Sequence, residues 1–346
     1  MIEKVYHFSL DVTWKLIQKM SQLDRFDDQW NTFEKREGQS LKQLKSIATV
    51  RSVGASTRIE GSKMTNEEVE NLLNNLTITK LVERDQQEVA GYFEALDVIG
   101  ESYKDIRISV GDIKNLHNLL LRHSEKDAWH RGDYKQVSNS VQAILPDGTQ
   151  QIIFQTAEPG YPTEEAMRNL ADWYNLHDDI HPLVRCAAFV YEFVSIHPFQ
   201  DGNGRMSRLL STLLLLKNGY KWIQYVSFEH EIESRKTEYY RALRTCQAER
   251  PEENISVWVD FFLGALANIQ EQLMRKMEKQ SSRNQLSARA KAILLYIENH
   301  PDSRSGQIAA GLGIPSSSVK RILSELYNAH LILRLGDESH PFYEIV

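Results

Sequence analysis

The chain has 346 residues, 41% of them hydrophobic and 25% charged, with a formal net charge of −6. That length exceeds one ordinary core and predicts a large domain joined to a smaller one, in a chain with folded rather than disordered proportions. The negative balance excludes a global attraction to nucleic acid or an anionic membrane, so either contact would need a local basic patch.

The N-terminus, MIEKVYHFSLDV, shows no signal-peptide pattern, and no stretch approaches the ~20 apolar residues of a membrane span. A cytoplasmic protein with no membrane partner is expected. Cys186 and Cys246 lack metal-ligand spacing and are expected to be buried free thiols. Helical spacing dominates: Leu116, Leu119 and Leu120, then Leu183, Ala187, Val190 and Val194, then Leu209, Leu210, Leu213 and Leu214. The fold class is therefore mainly α. Between Tyr134 and Thr156 two short apolar runs surround Pro146-Asp147-Gly148, which predicts one β-hairpin.

Residues 182–196 read as a buried helix and residues from about 204 to 216 as the next, which leaves His197 to Asn203 as the connecting loop. Gly202 and Gly204 flank Asn203 and permit an anion-binding nest of backbone N–H groups. The nest opens on a helix N-terminus, where phosphate is favoured. Arg205 and Arg208, three apart on that helix, could span a polyphosphate. Asp201 supplies a hard oxygen suited to Mg²⁺, and His197 a base able to accept a hydroxyl proton near neutral pH. A lone DGNG is usually just a loop, but a structural turn has no reason to gather all of these groups within twelve residues.

His197-Pro-Phe-Gln-Asp-Gly-Asn-Gly-Arg-Met-Ser-Arg208 resembles the signature of the Fic family, matching its fixed positions throughout, and the resemblance extends from about Leu41 to Ala267. It implies a helical Fic core that transfers AMP from ATP to a Ser, Thr or Tyr hydroxyl of a protein target. By the same resemblance His197 would take the hydroxyl proton, Asp201 would hold Mg²⁺, and Asn203 with the loop N–H groups would meet the α phosphate. Arg205 and Arg208 would take the β and γ phosphates, Phe199 would anchor the loop, and Tyr239, Tyr240 and Gln247 would contact the nucleoside. Tyr239 and Tyr240 cannot share one helical face, so Tyr240 is preferred.

The run Ser56-Thr-Arg-Ile-Glu60-Gly61 resembles the inhibitory motif of the subclass in which a helix projects a glutamate into the ATP site, here a helix near 45–61. Ser62 departs from the Asn of many relatives. The hairpin resembles a target-binding flap, with Phe154, Gln155, Thr156 and Ala157 lining the site. A homodimer is a further family expectation. Removal of AMP, or nucleotide sensing by a transcriptional regulator, are the alternative activities.

The expected organisation is an N-terminal segment 1–40, a core 41–274, a stretch 275–286 that reads as a linker or the frayed end of a long helix, and a C-terminal domain 287–346. In the last, AKAILLYIENH, SGQIAAGLG and SSSVKRILSELYNAH precede a strand-like tail, the pattern of a winged helix, with Ser305 and Ser316 as N-caps. Such a helix suits a DNA groove. Its balanced charge favours protein contact or self-association instead.

Overall fold

The structure is a computed structural model that describes residues 2–36, 38–77, 79–144, 150–284, 286–337 and 341–345. It is mainly α-helical and divides into two compact units, Met1–Gln270 and Glu271–Val346.

The first unit opens with an antiparallel hairpin, β1 (Ile2–Val5) and β2 (Phe8–Asp11). Ser9 continues the pairing onto a distant segment, donating to Glu253 O (3.0 Å) and accepting from Ile255 N (2.9 Å). α1 (Trp14–Arg36) buries Leu23 and Trp30, and α2 (Gly38–Ile59) buries Val53, Ala55 and Ser56. α3 (Asn66–Asn74) starts at a reciprocal cap: the Thr65 hydroxyl accepts from Glu68 N, and the Glu68 carboxylate accepts from Thr65 N. α4 (Arg84–Ser102) and α5 (Val110–Leu120) follow. The expected hairpin is β3 (Ser140–Ile144) paired antiparallel with β4 (Gln150–Gln155), with a register shift between Val141 and Gln142. Its turn at Pro146 to Thr149 lies outside the described residues.

α6 (Tyr161–Leu176) then leads to α7 (Pro182–Ile196) and α8 (Asn203–Lys217), the centre of the unit. Leu183, Phe189 and Phe193 on α7 and Met206, Leu209, Leu210 and Leu213 on α8 are all fully buried. α8 is buried along nearly its whole length, its polar residues Arg205, Ser207, Arg208 and Ser211 included, and lies against α2, α4, α5 and α7. α9 (Phe228–Ser234), α10 (Lys236–Gln247) and α11 (Ser256–Asn284) complete the helices that begin in this unit. Cys186 and Cys246 are buried and free.

The second unit contains α12 (Ala288–Asn299), β5 (Ser303–Arg304), α13 (Ser305–Leu312), α14 (Ser316–Asn328), β6 (Ile332–Leu335) and β7 (Phe342–Ile345), with sheet order β5-β7-β6. Ile293, Ile297, Ile308, Val319, Leu323 and Leu326 form its own core. This is a winged helix-turn-helix. Of the two readings of 275–286, the end of a long helix is the one found over most of the stretch: α11 runs to Asn284. Ser305 and Ser316 are the first helical residues rather than the caps, which are Arg304 and Pro315. No helix among the described residues is long and apolar enough to cross a membrane.

Candidate active site

His197 ends α7 in the left-handed conformation, φ 52° and ψ 59°. Non-glycine residues rarely hold that backbone, and the surroundings must fix it. Its Nδ1 lies 3.3 Å from Val194 O, a contact that places the proton on Nδ1 and leaves Nε2 as the basic atom. Burial pushes the imidazole pKa down to about 4, with Lys135 adding to the fall and Val194 O, Glu60 and Asp201 opposing it. His197 is therefore neutral at ordinary pH.

The loop after it is clamped from inside. Asn203 Oδ1 accepts from Phe199 N (2.9 Å) while its Nδ2 donates to Phe199 O (2.7 Å). Asn203 is almost fully buried, so its side chain closes the loop, and it is its backbone N–H that remains for an anion. Gly202, at φ 80°, turns the chain into α8. The helical ladder starts at Met206 N to Gly202 O (2.8 Å), so the N–H groups of Asn203, Gly204 and Arg205 have no partner within the helix. Phe199 is fully buried and stacks on His117, with ring centroids 3.7 Å apart.

His117 carried no chemical signal in the sequence beyond its place on the apolar face of α5. It accepts from Gly132 N at Nδ1 (3.0 Å), which fixes the proton on Nε2 for donation to Asp201 O (3.0 Å). Burial pushes its pKa to about 4, which keeps that tautomer neutral.

The two arginines separate. Arg208 is 1% exposed. Its Nε donates to Ser56 Oγ (2.8 Å), and its Nη2 to Ser56 O (3.1 Å) and Glu60 Oε1 (2.8 Å). Arg205, 2% exposed, lies 3.5 Å from the Glu88 carboxylate on α4 and 3.6 Å from Asp201. It is not among the residues that wall the cleft, and its guanidinium lies between these two carboxylates, where a phosphate ligand had been expected.

Glu60 sits one residue past the end of α2, in a turn whose N–H bonds Thr57 O (3.1 Å). Burial raises its carboxyl, but Arg208 outweighs burial and holds the pKa below the usual range. A Cβ on Gly204 would collide with this carboxylate, so glycine is what admits Glu60 over the N-terminus of α8. The end of α2 is pinned from the far side: Arg58 makes a bidentate pair with Glu233 (2.7 and 3.0 Å), and Lys236 Nζ donates to Ile59 O (2.7 Å).

A cleft of about 290 Å³ joins these groups, walled by Glu60, His197, Asp201, Gly202, Gly204, Arg208, Tyr240, Leu243 and Gln247 among others. Tyr239 also lines the cleft, although it is 3% exposed and its ring packs against Trp258 and Phe261. Gln247 faces the cleft with its amide nitrogen donated to Ser195 Oγ (3.0 Å). The four flap residues do not wall the cleft. Phe154 is buried, Gln155 turns to Glu158 (3.2 Å), Thr156 bonds Asn139, and Ala157 N donates to Ile196 O (3.3 Å). They tie the hairpin down beside His197 instead.

Asp201 is the candidate metal ligand. Its Oδ1 accepts from Gly202 N (2.6 Å), and its Oδ2 lies 3.6 Å from Arg205 and 3.8 Å from Lys126. Burial raises its pKa, but Arg205, the Gly202 N–H and Lys126 together hold it below the usual range. An ionised carboxylate, 42% exposed beside the open N-terminus of α8, fits a hard cation. In another cluster with metal-ligand chemistry, His7, Glu192 and Glu253, the two carboxylates are already engaged by Arg250 at 2.6–2.8 Å.

The helical bundle thus presents a histidine, a glycine-flanked turn and a helix N-terminus to one cleft. Residues 107–215 match the Fic/DOC family, and residues 288–334 match the IclR helix-turn-helix domain. The Fic/DOC match spans about a third of the chain and includes the whole stretch from His197 to Arg208. It is 30% identical over 185 residues to the "Protein adenylyltransferase Fic" of Drosophila willistoni, a match covering 52% of this chain and 34% of that protein. The Drosophila mojavensis protein of the same name is 25% identical over 301 residues, covering 83% of this chain and 54% of the relative. The chain thus spans from about a third to about half of these curated relatives. A Fic family protein from Desulfovibrio desulfuricans has the same fold, with a TM-score of 0.64 at 23% identity over 97% of each chain.

Proposed function

We propose that this protein transfers AMP from ATP to the hydroxyl of a Ser, Thr or Tyr in a protein, and that Glu60 holds it inactive. The observation that carries the reading is the meeting, in one cleft, of a neutral His197, the open N-terminus of α8 and an Arg208 occupied by Glu60. The N–H groups of Asn203 and Gly204 and the α8 dipole would receive phosphate oxygens, and Arg208 the outer phosphate. The adenosine would run towards Tyr240, Leu243 and Gln247. His197 Nε2 would accept the hydroxyl proton as the target oxygen bonds to the α phosphorus, and the bond from that phosphorus to its bridging oxygen would break to release pyrophosphate. Mg²⁺ held by Asp201 would neutralise phosphate charge. Arg205 and Lys126 would hold the Asp201 carboxylate ready for that role.

With Glu60 on Arg208, the outer phosphate loses its guanidinium partner and meets a carboxylate, which displaces ATP from an in-line geometry. The test is incubation of wild type and Glu60→Gly with ATP labelled at the α phosphate, reading label on the protein itself. Label should rise at least roughly 10-fold in Glu60→Gly, equivalent to about 1.4 kcal/mol. Equal, low labelling of both would remove the brake from the account. Because the Glu60 carboxylate shares the cleft with His197, it could instead hold a water for removal of AMP. Loss of AMP from a premodified protein with wild type but not Glu60→Gly would establish that direction.

A further inference from the structure

Lys135 is one of the largest fully buried side chains among the described residues, at 1% exposure, and the reaction as described makes no use of it. Its ammonium donates to Asn139 Oδ1 (2.8 Å), Thr156 Oγ1 (2.8 Å) and Ile196 O (3.2 Å). Its backbone N–H donates to Pro198 O (2.8 Å). Ile196 and Pro198 are the residues on either side of His197, so one residue grips the carbonyl before and the carbonyl after the left-handed histidine. Asn139 extends the grip by donating from Nδ2 to Phe199 O (2.7 Å). Thr156 brings in the end of β4, so the same ammonium ties the hairpin to the histidine.

A buried lysine is costly, and a hydrophobic residue of equal volume would fill the space without desolvating a charge. Three oxygens converging on one ammonium give the cost a purpose: they fix three chain segments at a single point. We infer that Lys135 is a positioning residue for AMP transfer, holding His197 in its left-handed conformation and coupling it to the end of the hairpin. The inference rests on the reading of His197 as the base.

The charge supports the role. Lys135 disfavours the imidazolium, while Glu60, from the turn after α2, and Asp201, from the loop before α8, favour it. Burial lowers the Lys135 pKa to about 8, so the ammonium persists at neutral pH.

The experiment compares Lys135→Met and Lys135→Arg in the Glu60→Gly protein, with Thr156→Val to remove a single partner of the ammonium. The expected result for Lys135→Met is a fall in kcat of roughly 10-fold or more with KM for ATP within about twofold, since the base and not the ATP site is displaced. Lys135→Arg should recover part of the loss. In parallel, ¹³C-histidine NMR should show the His197 titration midpoint moving up by roughly half a pH unit or more in Lys135→Met. A folded Lys135→Met protein with unchanged kcat and unchanged midpoint would overturn the inference. If Lys135→Met does not fold, Thr156→Val decides: a smaller fall in kcat supports the coupling, and none overturns it. If the parent transfers no AMP, the proposed reaction has failed and the NMR midpoint still judges Lys135.

Discussion

His117 shows how a residue without chemistry of its own can set the geometry of one that has it. Its ring stacks on Phe199 and its two nitrogens join Gly132 N to Asp201 O, which fixes the loop from the side opposite the cleft. His117→Phe keeps the stacking and loses both bonds, so AMP transfer should fall roughly 10-fold or more while thermal stability drops modestly, checked by kinetics beside calorimetry. His117 and His197 also predict an acid response. Their folded pKa values of about 4 lie below the ordinary 6.5, so between those values the unfolded chain binds more protons than the folded one. Stability is then fully present above about pH 6.5 and is lost as pH falls towards 4, by on the order of 3 kcal/mol for each histidine. Denaturant melts at pH 7 and pH 5 should show the loss, and His117→Phe should reduce it. Among residues, the motif from His197 to Arg208 was legible because its chemistry lies within twelve consecutive positions. The separate fates of Arg205 and Arg208 were not, because their partners, Glu88, Ser56 and Glu60, approach from other helices.

At the scale of elements, α2 is the part whose position matters most to the proposed brake. Its last turn is held by the Arg58 pair with Glu233 and by Lys236, and these contacts lie outside the cleft wall. Arg58→Ala should therefore loosen Glu60 and raise self-labelling of the wild-type protein several-fold, but leave Glu60→Gly unaffected. Equal effects in both backgrounds would show that Arg58 acts on the fold and not on the brake. α8 makes the contrasting case. Its Leu210 is fully buried at the centre of the bundle, and Leu210→Ala should cost about 2–5 kcal/mol of stability in a denaturant melt. Helix positions could be read from the apolar spacing, which follows directly from which faces are buried. The contribution of the hairpin could not. Alternating apolar residues specify a pair of strands, whereas the anchoring of Thr156 and Ala157 depends on Lys135, Asn139 and Ile196, the last 40 residues further along the chain.

For the whole molecule, the division into two units follows from two separate sets of buried residues. The winged-helix unit keeps Ile293, Ile308, Val319, Leu323 and Leu326 in a core of its own, and its helices and wing were readable because each is a short segment with its own apolar residues. A fragment of residues 287–346 should unfold cooperatively in a thermal melt, with the low stability usual for about 60 residues. A featureless melt would make that unit dependent on the rest of the chain. The end of α11 was harder to read, because a polar surface helix and a polar linker have the same composition.

The central claim, that His197 and the turn before α8 transfer the α phosphate of ATP with its adenosine, is tested most directly by a paired labelling experiment. Glu60→Gly and Glu60→Gly/His197→Ala would be incubated with ATP and Mg²⁺, once with label at the α phosphate and once at the γ phosphate. The expected result is protein-bound label from the α position alone, present in the single variant and lost in the double one. Label from the γ position, or α label that survives the loss of His197, would contradict it.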